Sequence, residues 1–350
     1  MKIVSVIGAR PQFIKAAVIS KVVEKLENVK NILIHTGQHY DENMSKIFFD
    51  ELEIPRPNFN LEVGSATHAV QTAQIMMRLE NVLIKEKPDW LLVYGDTNST
   101  IAAALTAAKL HIRIAHVEAG LRSFNRIMPE EINRITTDKI SDLLFAPTEN
   151  AMKLLAKEGL ANNAVNTGDV MYDSVLFYEK LAEKKYSLEQ ITNLDEFYLA
   201  TIHRAENTDN ERNLQNIFSA FSELNFPVII PVHPRTRLKL NKIKYSNNVK
   251  IIEPVSYLEM ILLLKNAKKV LTDSGGLQKE AYFLGKPCLT LRTETEWVET
   301  LKNNWNIITG ANIENILEKI SLDPTGPRGN YFGEGNAGEK ILNELLTRNN

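Results

Sequence analysis

The sequence is short of the features that mark extracellular, membrane or nucleic-acid-binding proteins. It holds one cysteine in 350 residues, so no internal disulfide can form, and a reducing compartment is expected. That residue, Cys288, lies in the apolar run KPCLTL with no acid–base neighbour in sequence, and is expected to be a buried structural thiol. No stretch approaches about 20 uninterrupted apolar residues, so no membrane-spanning helix is expected. The opening MKIVSVIGARPQFIK has an apolar run too short for a secretion signal, which makes the cytoplasm the expected compartment. The formal net charge is −2, so there is no general positive field for nucleic acid or an anionic membrane. Any anion site must be local. HxH and HExxH spacings are missing, and no metal site is expected. No GxGxxG follows a strand-like run, and no Gly-Lys-Ser/Thr closes a phosphate loop, so neither the dinucleotide fingerprint nor a Walker A loop is present.

What is present is alternation. Short β-branched runs (KIVSVIG, NILIHTG, WLLVYGD, IRIAHVE, LLFAPT, then FYLATIH, VIIPVH, VKIIEP, KVLTDSG, PCLTL) are separated by segments with helical spacing, such as Leu258, Ile261 and Leu262. Near-continuous apolar runs are those of strands covered on both faces, so the fold class is α/β with parallel sheets. At roughly 100–200 residues per domain, the length suggests two domains. The alternation pauses after Gly168, which predicts Rossmann-like domains over 1–170 and 171–337, with a last helix over 338–350 packing back on the first.

Ligands of open parallel sheets bind beyond the carboxyl ends of the strands, and two such sheets are expected to face a central cleft. The residues there are chemically loaded. TDSGG places Ser274, Gly275 and Gly276 at a helix start, where free N–H groups suit a phosphate, and Glu280 a turn later suits a ribose diol. An ordinary tight turn with an N-cap is the alternative. Arg10 and Lys15 in GARPQFIK, and His203 and Arg204 in TIHRAEN, are placed to hold a diphosphate, or stand as solvated surface groups. HVEAGLRSFNRIMPEEINR carries His116 and Glu118 as possible bases. Asp96 and Glu118 follow neighbouring strand-like runs, and Pro129 starts a helix with Glu130 and Glu131 in its first turn. Glu130 and Arg134 are four apart and share a helix face. Carboxylates held near arginines suit acid–base chemistry, although helix-start chemistry alone accounts for the two glutamates.

Together GARPxxIK, TGQH, GDT, HVEAGLRS, PEEINR, TGD, HRAEN, PVH and DSGGLQKEA resemble the non-hydrolysing UDP-N-acetylglucosamine 2-epimerase family, from about Lys2 to Glu299. The resemblance implies a GT-B-like architecture of two Rossmann-like domains, a homodimer, no cofactor, and a UDP-sugar as the small-molecule partner. It implies interconversion of UDP-GlcNAc and UDP-ManNAc by elimination of UDP through a 2-acetamidoglucal and re-addition, for surface polysaccharide precursors. On it, Asp96, Glu118, Glu130 and His203 are catalytic. Arg10, Lys15, His203, Arg204, Ser274, Gly275, Gly276 and Glu280 bind UDP. The chain departs from the family pattern at Tyr40-Asp41, at His233-Pro234-Arg235-Thr236-Arg237, and at Thr295-Glu296-Trp297-Val298-Glu299, where TERPE is usual. These changes resemble a branch acting on UDP-2,3-diacetamido-2,3-dideoxyglucuronate, whose carboxylate Arg235 and Arg237 would suit; solvated loop arginines are the alternative. A GT-B glycosyltransferase and a non-catalytic UDP-sugar sensor are the more distant readings.

Overall fold

Each apolar run becomes a strand because both of its faces are covered. The computed structural model describes residues 1–38, 49–232 and 234–349. The first sheet contains β1 (Lys2–Ile7), β2 (Lys30–His35), β3 (Phe59–Asn60), β4 (Trp90–Tyr94), β5 (Arg113–Val117), β6 (Leu143–Ala146) and β7 (Ala164–Asn166). Its order is β3-β2-β1-β4-β5-β6-β7, and every pairing is parallel. The second contains β8 (Tyr198–Thr201), β9 (Val228–Pro231), β10 (Val249–Ile252), β11 (Val270–Thr272), β12 (Cys288–Thr290) and β13 (Asn306–Ile308). Its order is β10-β9-β8-β11-β12-β13, again all parallel. The chain is therefore α/β with two parallel sheets. The ten apolar runs all form strands. β3, β7 and β13 carry no such run, because they are edge strands of two or three residues.

Side-chain alternation then fills two cores per sheet. In β8, Tyr198 and Ala200 enter one cluster and Leu199 the other; in β9, Val228 and Ile230 part from Ile229 in the same way. In the first sheet, Val4, Val6, Ile32 and Ile34 pack with Ile75, Leu79 and Leu83 from helix His68–Glu86. Each such fully buried aliphatic side chain contributes about 1.5–3 kcal/mol. Cys288 belongs to the second of these cores, where burial pushes its thiol up to about 12. No helix among the described residues is long and apolar enough to cross a membrane.

The chain forms two compact units, Met1–Leu176 with Asn330–Asn350, and Phe177–Gly329. Sequence cues place the divisions near 170 and 337. A continuous helix, Val170–Lys185, runs through the first division and offers no break to read. Residues after Gly329 are fastened to the first unit by backbone. Gly168, at φ +83°, lies so close to the returning chain that a Cβ there would sit 2.7 Å from the Phe332 carbonyl. Asp169 N–H donates to that same oxygen at 2.9 Å. This is the structural use of the TGD triplet. The last helix, Ala337–Thr347, buries Ile341, Leu342 and Leu345 and meets Val18 of helix Arg10–Val23.

Strand order reverses between β1 and β4 in one sheet and between β8 and β11 in the other. The carboxyl ends of these four strands are the switch points at which such sheets bind ligands.

Candidate active site

In the first unit, the turn after β1 is set by Gln12. Its Oε1 accepts from Gly8 N–H at 2.8 Å and Ala9 N–H at 3.1 Å. Its Nε2 donates to the Tyr94 carbonyl at 2.6 Å. One side chain thus ties the start of helix Arg10–Val23 to the end of β4. Gln12 is part of GARPQFIK, but nothing in its spacing marks it as a bridge. Arg10 opens the helix; its side chain lies outside the described residues.

Asp96 follows β4 and Glu118 follows β5, which are paired neighbours. Lys15, nearly buried, is ion-paired with Glu118. Arg134 is ion-paired with Asp96 and lies 3.2 Å from Glu131. Asn133 donates to the Asp96 carbonyl at 2.9 Å. Enclosure by protein pushes the Asp96 carboxyl above its ordinary range; Arg134 pulls against this and the Glu118 charge adds to it. Asp96 still keeps 30% of its side-chain surface open. Glu118 has φ +69°, a left-handed conformation that costs a non-glycine residue on the order of 1 kcal/mol and is found where structure over-determines it. The site therefore pairs two carboxylates with two cations, and one carboxylate is biased towards its protonated form.

On helix Pro129–Ile140, Arg134 finds its ion partners in Asp96, which follows β4, and in Glu131, one turn back. Glu131 is buried because it holds the preceding loop, accepting from Ser123 N–H, Ser123 Oγ and Phe124 N–H at 2.9–3.0 Å. Glu130 is exposed in the first turn. Lys15, expected at a diphosphate, is engaged by Glu118 in this state.

In the second unit, Asp273 organises the switch point. Its carboxylate is fully buried and accepts from His203 N–H at 3.1 Å, Arg204 N–H at 3.1 Å and Asn207 Nδ2 at 3.1 Å. This binds the end of β11 to the turn after β8 and leaves the His203 ring 44% exposed. Arg204 is the N-cap residue of the short helix Ala205–Thr208 and is half-buried. Ser274 caps helix Gly275–Phe283 by accepting from Leu277 N–H. The two glycines serve differently. A Cβ on Gly275 would overlap the Glu296 carboxylate, whereas one on Gly276 would meet only Ser274 Oγ, at 3.9 Å. Glu296 is held by Arg292 at 3.0 Å, and the next residue, Trp297, carries Lys279 on its ring face at 3.9 Å.

Glu280 is buried, and Tyr257 donates to its Oε1 at 3.1 Å. Burial lifts its carboxyl to about 7, against the pull of that hydrogen bond and of Lys279. Tyr257 stands 23 residues earlier in the chain, and sequence reasoning did not find it. Arg237 pairs with Glu253 at 2.7 Å on the surface. His233, His39, Tyr40 and Asp41 lie outside the described residues, as does the side chain of Arg235. Among the described residues, no group of three or more His, Cys, Asp and Glu is placed to hold a metal ion.

The profile of the UDP-N-acetylglucosamine 2-epimerase family matches residues 21–346. The chain belongs to this family. A UDP-N-acetylglucosamine 2-epimerase homolog from Methanococcus maripaludis is 58% identical, over 99% of both chains. The UDP-2,3-diacetamido-2,3-dideoxy-D-glucuronate 2-epimerase of Pseudomonas aeruginosa is 50% identical, again over 99% of both. Among solved structures, the UDP-GlcNAc 2-epimerase of Methanocaldococcus jannaschii, crystallised with UDP-GlcNAc and UDP, is 46% identical and superposes with a TM-score of 0.88 over 99% of this chain and 100% of that one. In this epimerase-family chain, the family motifs GDT and DSGG fall at the switch-point ends of β4 and β11, and HVEAG falls at the end of the neighbouring strand β5.

Proposed function

We propose that the chain interconverts UDP-GlcNAc and UDP-ManNAc without a redox cofactor. The observation that carries this reading is the pair of strand-end carboxylates, Asp96 and Glu118, each held by its own cation. An acetamido-bearing C2 has no adjacent carbonyl to stabilise a carbanion. Loss of the C2 proton is therefore coupled to cleavage of the anomeric C1–O bond. The C2–H electron pair forms the C1=C2 bond, UDP leaves with the C1–O pair, and a carboxylate of the Asp96–Glu118 pair takes the proton. Re-addition of UDP at C1 with protonation of the other face of C2 gives the epimer. The sugar passes through cation-like character, which carboxylates stabilise. A carboxyl biased towards protonation is suited to hand a proton back.

In the second unit, Ser274, Gly275, Gly276 and the helix N-terminus suit a phosphate. His203 and Arg204 supply nearby cationic or hydrogen-bonding groups, and Glu280 suits the ribose hydroxyls. Arg10, and Lys15 if released from Glu118, are assigned to the diphosphate, and exposed Glu130 to the sugar. The reading includes a cytoplasmic role in precursors of surface polysaccharide. It also includes a homodimer, supported by an exposed stripe of Val70, Met77 and Ile84 along helix His68–Glu86. Light scattering at several concentrations tests the dimer; a monomer throughout discards it.

The deciding experiment is proton NMR of UDP-GlcNAc with the enzyme in D2O. Deuterium at C2 together with UDP-ManNAc signals supports the reading, and absence of both discards this substrate. A second reading replaces the substrate with UDP-2,3-diacetamido-2,3-dideoxyglucuronate. Favouring it is the 50% identity to the P. aeruginosa enzyme of that name, above the 46% to the M. jannaschii one. The same exchange measured on the uronate separates the two.

A further inference from the structure

His116 stands two residues before Glu118, where a second general base would be looked for, yet it is fully buried. Its two ring nitrogens face acceptors. Nδ1 lies 2.7 Å from Asp138 Oδ1 and Nε2 lies 2.7 Å from the Gly95 carbonyl. A carbonyl oxygen only accepts, and an ionised carboxylate only accepts, so both contacts are hydrogen bonds only when the ring carries two protons. The charges continue outward. Asp138 Oδ2 is 2.8 Å from Arg122 Nη2, and Arg122 meets Glu158 at 2.7 and 2.8 Å through two nitrogens. Cation and anion alternate from buried His116, Asp138 and Arg122 out to half-buried Glu158, which offsets the desolvation that would otherwise forbid a charged imidazole there. Burial opposes the charge on Asp138, but its hydrogen bond to His116 and the neighbouring Arg122 hold its carboxyl below the ordinary range.

The contacts fall on the turns that carry the two site carboxylates. Gly95 immediately precedes Asp96. Its N–H donates to Val117 O at 3.0 Å and its carbonyl accepts from His116 Nε2–H, so both sides of this residue are fixed by β5. Asp138 in turn accepts from Gly120 N–H at 3.1 Å, two residues beyond Glu118. Gly95, Glu118 and Gly120 all have positive φ, at +60°, +69° and +83°. Backbone in these conformations cannot continue a strand ladder and needs other partners.

We propose that His116 is a positioning residue: as a doubly protonated ring paired with Asp138, it clamps the β4 and β5 turns so that Asp96 and Glu118 are presented to one substrate carbon. It touches no substrate and exchanges no proton during turnover. The inference deepens the epimerase reading and rests on it for its kinetic test. It is distinct from a base role, which a ring with both nitrogens occupied cannot perform.

The test compares wild type with His116→Gln and Asp138→Asn. A glutamine amide cannot donate in both directions at this span, and an asparagine weakens the pair without changing its volume. A shift of about 1 Å at a reacting group costs on the order of 10²-fold. The expected result for folded His116→Gln is therefore a kcat for C2 exchange lowered about 10²-fold, with KM and the dissociation constant of UDP each within about twofold. Asp138→Asn should move kcat in the same direction. In ¹⁵N-histidine-labelled wild type, both His116 nitrogens should appear protonated under the conditions of the kinetic assay. A neutral ring, an unchanged kcat in either folded variant, or losses in KM and UDP binding matching the loss in kcat would overturn the proposal. If wild type exchanges no C2 proton, it is the epimerase reading that fails. The clamp is then judged on the Asp96 and Glu118 amide resonances, which must shift in His116→Gln; unshifted resonances sink it.

Discussion

The Tyr257 hydroxyl donates to Glu280 Oε1 across 3.1 Å, and so supports a buried carboxyl whose ionisation is displaced to about 7. Ribose hydroxyls donate to an ionised carboxylate. UDP affinity is therefore expected to strengthen as pH rises through about 7. In Tyr257→Phe the carboxylate loses a donor, and the midpoint should move to higher pH. Glu280→Gln should flatten the dependence. Calorimetric titration of UDP across the neutral range checks all three, and an unaltered pH profile in Glu280→Gln would remove Glu280 from the ribose site.

Asp96→Asn keeps the size of the side chain and removes its proton chemistry. C2 exchange is expected to fall by about 10²–10⁴-fold, the usual range for general acid–base groups. UDP binding should be unaffected. Exchange rates by NMR alongside UDP titration provide the check; a variant retaining most of its activity would shift the proton transfer to Glu118.

Arg134 lowers the Asp96 carboxyl, so its removal lets that carboxyl rise further. If Asp96 acts ionised, the acid limb of the kcat/KM profile in Arg134→Met should move to higher pH. If it acts protonated, the alkaline limb should move upward instead. A pH profile identical to wild type would mean that Asp96 ionisation does not limit turnover.

Asp173 is a stability determinant. Burial lifts its carboxyl from 3.8 to about 6, against the hydrogen bonds from Gly338 and Ala337. Because the folded value is the higher one, its contribution is complete below pH 3.8 and is lost as pH rises through about 6. The rise from 3.8 to about 6 corresponds to about 3 kcal/mol. Asp173→Asn preserves an acceptor for Gly338 N–H, 2.8 Å away in the parent. The variant should be more stable near neutral pH, with a flatter Tm against pH. Scanning calorimetry decides it: a parallel, downward-shifted Tm curve would contradict this account.

Strands buried on both faces announce themselves as apolar runs, and the places of Asp96, Glu118 and Ser274 just beyond such runs were legible for that reason. The partners of these residues were not. A spacing of four puts Arg134 on the helix face of Glu130, but it could not show that the ion partners of Arg134 are Asp96, from another part of the chain, and Glu131. Tyr257 and Gln12 act across long sequence separations, where periodicity carries no information. β3, β7 and β13 are edge strands of two or three residues, too short to pattern.

The pinned return of the chain at Gly168 and Phe332 also sets an order of manufacture. Phe177–Gly329 is one uninterrupted stretch, whereas the first unit needs Asn330–Asn350 to be complete. During synthesis the second unit is fully translated before the first receives its closing helix. Until Ile341, Leu342 and Leu345 arrive, Val18 and its neighbours on the first helix lack their cover. A chain stopped after Gly329 is therefore expected to yield a protease-resistant second half beside a vulnerable first half, as limited digestion of that truncation would reveal. The unit whose strands come earlier in the sequence is thus the one that must wait for the residues after Gly329 to finish folding.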